Sequence, residues 1–245
     1  MQQLRSIAGR IWLAWFYINA ALFFLFLYPL VLIFISREKW FPYVFKLKQI
    51  WARWILFGSG IRYEIKKNYH FKKNQAYIFC PNHASILDTV ITYVSIPKYF
   101  HFMGKAELRK APLFGIFFKR MNIAVDRGNI RASHRAFLRA HNDIQKGISI
   151  GIFPEATVPA CAPKLGPMKN GAFRLAIENQ IPLVPITYNF TWKIIPDSKR
   201  IPGPHKVTIY IHHPIETKGM TEDDILLLKD ATRKAIATEL VLEDN

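Results

Sequence analysis

Residues 11–36, from Ile11 to Ser36, are almost wholly apolar, and Asn19 is the one strongly polar side chain among them. A helix of about 25 residues is ~37 Å long, enough to cross a hydrocarbon core of ~30 Å. The run is too long for a tidy signal peptide, and no small-residue cleavage site follows it. It predicts a membrane anchor. Pro29 leaves two forms open, a crossing helix or a kinked segment that enters one leaflet. Arg5 and Arg10 precede the run, while Arg37, Lys39, Lys46, Lys48 and Arg53 follow it. That excess places the rest of the chain on the cytoplasmic side.

Residues 40–57 interleave Trp40, Phe41, Tyr43, Phe45, Trp51, Trp54 and Phe57 with Lys46, Lys48 and Arg53. Aromatics with cations suit the headgroup layer, and they equally suit an amphipathic helix packed on a domain; the two readings are compatible. The division expected is an N-terminal membrane-anchoring region, 1–58, and a domain over 59–245. The hydrophobic share of 51% supplies a core and excludes global disorder. A net charge of +17 points to an anionic partner or a solvated basic surface. Nucleic acid is not an expected partner, because no helix-turn-helix, finger or RNA-binding signature accompanies the charge. Cys80 and Cys161 form neither a disulfide framework nor a metal-ligand cluster.

From residue 61 onward, short apolar runs alternate with helical patterns. Strands are expected at 61–65, 76–80, 99–103, 122–125, 148–153, 182–190 and 206–212. Helices are expected at 86–94, 114–120, 132–146, 172–179 and 221–242. In the helix at 132–146 the apolar positions are Ala136, Leu138 and Ile144, and Gly147 is the stop. Thr221 caps the last helix. The fold class is therefore α/β, a largely parallel sheet flanked by helices and preceded by the hydrophobic helical segment.

The chemistry-bearing stretch is Pro81-Asn82-His83-Ala84-Ser85-Ile86-Leu87-Asp88, at the end of a strand. Five positions on one helix put two side chains ~140° apart, so His83 and Asp88 meet only if His83 lies in the turn. Asp88 would then fix the imidazole tautomer, and the other ring nitrogen would take a hydroxyl proton. The same residues also read as a plain capping box, with Ser85 at the cap and Asp88 three positions on. Gly147-Ile148-Ser149-Ile150-Gly151 matches G-x-S-x-G, but Ser149 sits inside a strand and no helix follows, so it is not expected to be a nucleophile. Other polar groups end neighbouring strands: Lys105, Asp126-Arg127, and Glu155 with Thr157. Lys169 opens a helix. Arg127 offers a fork for phosphate or forms a surface pair with Asp126. In a parallel sheet these ends share one rim, which makes a candidate site.

The chain resembles the glycerolipid acyltransferase family, typified by 1-acylglycerol-3-phosphate acyltransferases. Its N-H-x4-D motif stands as Asn82 to Asp88, its second motif as Val125-Asp126-Arg127, and its third, F-P-E-G-T-R, as Phe153-Pro154-Glu155-Ala156-Thr157-Val158. Its fourth, a proline-centred strand, stands as Ile181-Pro182-Leu183-Val184-Pro185-Ile186. The four motifs hold their order over roughly residues 60–215. The resemblance implies that His83 is the general base and Asp88 its orienting partner. It places Arg127, Glu155 and Thr157, with Lys105 beside them, in the acceptor-binding region, and the shared rim adds Lys169 as a substrate-binding candidate. It also implies transfer of a fatty acyl group from acyl-CoA or acyl-carrier protein to a lysolipid hydroxyl in membrane phospholipid biosynthesis, with neither metal nor bound cofactor. The partners expected are the lysolipid acceptor, the thioester donor and membrane lipids. Two departures stand out. Ala156 replaces a Gly, where positive φ is costlier, and Val158 replaces an Arg. The second leaves a lyso-aminolipid acceptor open, and the altered motif leaves open a membrane-bound module without catalysis.

Overall fold

The computed structural model describes residues 2–126, 128–196 and 200–242. The chain begins with α1 (Gln2–Phe34) and α2 (Phe41–Gly58), followed by β1 (Arg62–Lys67) and β2 (Ile78–Pro81). Next come α3 (Leu87–Ser95), β3 (Phe100–Lys105), α4 (Gly115–Arg120), β4 (Ile123–Val125) and α5 (Ile130–Gln145). The remainder is β5 (Ser149–Gly151), α6 (Gly171–Glu178), β6 (Leu183–Asn189), α7 (Thr191–Ile194), β7 (Lys206–Ile211) and α8 (Ile225–Thr238). The strands form one seven-stranded sheet in the order β1-β7-β6-β2-β5-β3-β4. β6, β2, β5, β3 and β4 run parallel; β7 is antiparallel to β6, and β1 follows β7. The carboxyl ends of five strands therefore share a rim, as the pattern predicts.

Alternate residues of the central strands feed two cores. Tyr77, Phe79, Val184, Ile186 and Tyr188 face α1, α2 and α3. Ile78, Cys80, Ile150 and Leu183 face α5, α6 and α8. A strand buried on both faces reads as a continuous apolar run, which is why β2 shows no polar alternation. β1 departs from its pattern. Tyr63 and Ile65 alternate with charged residues, yet all six positions are exposed, because β1 is an edge strand. Leu138 is likewise exposed; α5 buries Ala136, Ala140, Asp143 and Ile144 instead. The last helix stops at Thr238, short of 242, because Asn189 at the end of β6 captures the chain beyond it. Its Nδ2 donates to the Glu239 carbonyl at 2.7 Å and its Oδ1 accepts the Val241 N–H at 2.9 Å.

α1 runs unbroken through Pro29. It is long and apolar enough to cross a membrane, and most of its surface is open. It packs along α2. Asn19 is buried there, accepting the Trp54 Nε1–H at 2.9 Å and donating to the Ile55 carbonyl at 3.3 Å. A Cβ at Gly58 would lie 2.7 Å from the Asn19 amide, so this helix contact requires glycine. One face of α2 buries Val44, Phe45, Ala52 and Ile55 against the sheet, while Tyr43, Trp54 and Phe57 stay exposed. Lys48 does not join the headgroup-type cations. It is buried, with Nζ 4.2 Å from the Phe117 ring centroid and 3.7 Å from Met121 Sδ. Burial lowers its pKa to about 7.

Candidate active site

His83 lies in the connection between β2 and α3, and Asp88 is the second residue of α3. The connection leaves the strand because Asn82 is clamped across β6. Its Nδ2 donates to the Tyr188 carbonyl at 3.1 Å, and its Oδ1 accepts the Tyr188 N–H at 2.7 Å. The turn then closes on one carboxylate oxygen. Asp88 Oδ2 accepts Ala84 N–H at 2.6 Å and Ser85 N–H at 2.8 Å, and it sits 2.9 Å from His83 Nδ1. The bond from Ser85 N–H is one half of a capping box, but the other half is missing: Asp88 N–H goes to the Ser85 carbonyl, and Ile86, with no side-chain cap, stands at the cap position in place of Ser85. Asp88 is fully buried, and its Oδ1 has no partner among the described residues.

The carboxylate fixes the ring's Nδ1 as donor, which leaves Nε2 as the acceptor. Nε2 has no hydrogen-bond partner among the described residues, and the His83 side chain is 16% exposed. The ring stacks on Phe153 at 4.1 Å, and Phe153 stacks on Phe102 at 5.6 Å. One face of the base is thus aromatic. A second buried His–Asp pair shows what an occupied imidazole looks like. His101 Nδ1 meets Asp143 at 2.8 Å and its Nε2 meets the Tyr99 hydroxyl at 2.6 Å, so both nitrogens are taken and neither is open to a substrate.

The remaining candidates divide. Glu155 is buried and engaged: its Oε1 accepts the His83 backbone N–H at 2.8 Å, and its Oε2 accepts Gly166 N–H at 2.6 Å. Burial pushes its pKa up, and those two N–H bonds oppose the shift. Both of its oxygens are thereby committed to backbone, one to the His83 turn and one to the Gly166 loop. Lys105, Thr157 and Lys169 are exposed. Lys105 ends β3, and the Lys169 backbone N–H donates to Pro154 O at 2.8 Å, which ties its loop to the Phe153–Ala156 turn. Arg127 lies outside the described residues. Asp126 Oδ1 accepts Gly128 N–H at 3.0 Å. Ala156 has φ +72, the left-handed backbone for which glycine is the cheaper residue. Ser149 is buried, and its Oγ accepts the Tyr77 N–H at 3.1 Å, in keeping with its dismissal as a nucleophile.

Sequence reasoning missed two supports of the site. A Cβ at Gly166 would lie 2.7 Å from Pro159 Cβ and 3.2 Å from Glu155 Oε2, so only glycine lets this loop reach the carboxylate. Arg233 of α8 donates to the carbonyls of Gly166 at 2.7 Å and Leu165 at 2.9 Å. Gly166 carried a faint signal as a glycine in a proline-rich stretch. Arg233 carried none, since it is far away in the chain.

The acyltransferase family model matches residues 61–189. The mouse 1-acyl-sn-glycerol-3-phosphate acyltransferase alpha is 28% identical over 182 residues, 73% of this chain and 64% of that protein. The chloroplast 1-acyl-sn-glycerol-3-phosphate acyltransferase BAT2 of Brassica napus is 33% identical over 167 residues, 67% of this chain and 46% of the plant protein. The chain thus spans less than two thirds of either relative. The crystal structure of the 1-acyl-sn-glycerophosphate acyltransferase of Thermotoga maritima superposes with a TM-score of 0.78 at 22% identity, covers 97% of each chain, and shows the same fold. The matched segment runs from the foot of β1 to the last residue of β6 and includes the whole His83 turn: the chain belongs to the acyltransferase family.

Proposed function

We propose that this protein transfers a fatty acyl group from a coenzyme A or carrier-protein thioester to the free hydroxyl of 1-acyl-glycerol-3-phosphate. The observation that carries the reading is His83, with one ring nitrogen on the buried Asp88 and the other open. Nε2 takes the proton of the acceptor hydroxyl as its oxygen attacks the thioester carbonyl. Asp88 stabilises the imidazolium that forms. Collapse of the tetrahedral intermediate breaks the carbon–sulfur bond, and the proton passes from His83 to the departing thiolate. This chemistry requires neither metal nor resident cofactor. Lys105, Thr157 and Lys169 are the candidates for the acceptor's charged headgroup, and Glu155 holds His83 in place. A lyso-aminolipid acceptor is the second reading, favoured by Val158 where the family pattern has an Arg.

The site belongs at the cytoplasmic face of a membrane. α1 pairs with α2 along much of its length, from Trp12 on Ser59 to Phe34 on Tyr43. α2 in turn is packed on the sheet. An upright crossing would strip α1 from this contact, which supports entry into one leaflet. The test is thiol release from acyl-CoA and acyl-carrier protein by the purified full chain, with each lysolipid as acceptor. His83→Ala should abolish turnover; unchanged turnover in that variant would remove His83 from the mechanism. Thioester consumption with a lyso-aminolipid alone would select the second reading.

A further inference from the structure

Beyond the β4 edge of the rim lies a cleft of about 260 Å³ between the residues following β3 and the start of α5. Arg109, Arg135 and Arg139 line it together with Asp126, Ala124 and Ala132. Among the described residues, no carboxylate pairs with any of the three guanidiniums. Arg139 is held by its Nη2, which donates to the carbonyls of Arg120 and Met121 at 3.0 Å each, so its remaining donors are pre-placed. Asp126 is the one carboxylate against three guanidiniums in the lining, so the cleft keeps a net positive charge, and the planar forks suit phosphate oxygens.

Position decides which phosphate. The order β2-β5-β3-β4 puts three strand steps between the His83 turn and β4, a separation of ~14 Å at the usual strand spacing. In a lysophosphatidic-type acceptor only a few bonds separate hydroxyl from phosphate, so that phosphate cannot lie in the cleft while its hydroxyl meets His83. A donor thioester differs. The pantetheine arm from sulfur to phosphate has the length of roughly four to five extended residues, ~15 Å. We propose that the Arg109–Arg135–Arg139 cleft binds the phosphate at the far end of the donor's phosphopantetheine arm. This chemistry is common to coenzyme A and to a carrier protein. The proposal rests on the acyltransfer reading above.

The test uses the full-length protein in detergent micelles and the variants Arg109→Gln and Arg135→Gln, leaving Arg139 in its structural bonds. Each variant should raise KM for the phosphate-bearing donor on the order of tenfold. The KM for acyl-pantetheine, which lacks the phosphate, and for the lysolipid should stay within twofold. Comparing acyl-CoA with acyl-carrier protein in wild type and variants shows which source is read. A KM change for the lysolipid alone, or an equal change for acyl-pantetheine, would overturn the assignment. Equilibrium binding of coenzyme A and of holo-carrier protein needs no turnover and separates the two readings. Weakened binding in the variants supports the cleft even if no acyl transfer is seen; unchanged binding, or no binding to wild type, overturns it even if transfer is robust.

Discussion

Asp88→Asn is the perturbation that isolates charge from geometry. All three donors, the His83 ring, Ala84 N–H and Ser85 N–H, converge on Oδ2, while Oδ1 is buried without a partner among the described residues. An asparagine can place its own Oδ1 where Oδ2 stands and keep all three bonds, with its amide nitrogen in the vacant position. The turn should therefore survive. Stability should fall by about 1–3 kcal/mol, because that nitrogen is buried without an acceptor and the bonds lose their charge assistance. Catalysis suffers separately. An imidazolium beside a neutral amide loses an interaction worth about 3–4 kcal/mol, which is roughly two to three orders of magnitude in rate. The assay is single-turnover thiol release with the lysolipid saturating, alongside circular dichroism and thermal denaturation of the same sample. A folded variant with turnover within fivefold of wild type would refute the imidazolium argument. A variant that unfolds outright would refute the geometric one.

Three further outcomes are expected. Lys48 keeps its proton to pH 10.5 when unfolded but releases it near pH 7 when folded, so stability should rise between those values, by up to about 1.4 kcal/mol per pH unit; Lys48→Met should flatten this slope in thermal denaturation from pH 7 to 9, and parallel curves for the two proteins would contradict the burial account. Ala156→Gly relieves a left-handed alanine at φ +72 and should stabilise by somewhat under about 1 kcal/mol, since added unfolded-state freedom offsets part of the relief; a lower melting temperature would count against it. Val158→Arg should lower the KM for lysophosphatidic acid severalfold while leaving an uncharged lysolipid unaffected, and an unchanged ratio between the two acceptors would detach this position from the headgroup.

Much of the fold was legible because strand and helix signals were local. β2 announced itself as an apolar run, α5 by its length and the Gly147 stop, and the His83 turn by Pro81 and a spacing that forbids one helix. The misreadings arose where tertiary contacts set the outcome. β1 alternates like a half-buried strand, but edge position is a property of the whole sheet. Lys48 reads like a headgroup cation, but α2 turns it into an aromatic cage formed by α3 and α4 residues, Tyr93 and Phe117. Glu155 reads as a rim residue of the acceptor region, and nothing in Phe-Pro-Glu says that its carboxylate bonds the backbone of His83. Arg233 and Gly166, which complete that brace, are distant in the chain and belong to no local pattern.

The brace also bears on where the tetrahedral oxyanion can be stabilised. Backbone N–H groups in the turn carrying the base would be the natural donors, since they are fixed and close. Here they are spent. His83 N–H goes to Glu155, and Ala84 and Ser85 N–H go to Asp88. The negative charge on two buried carboxylates would moreover oppose a second anion in the same place. These three N–H groups are therefore closed to the oxyanion, and its donors must come from other elements of the rim. On this geometry the turn supplies the base and the tautomer, and the neighbouring strands must supply the charge.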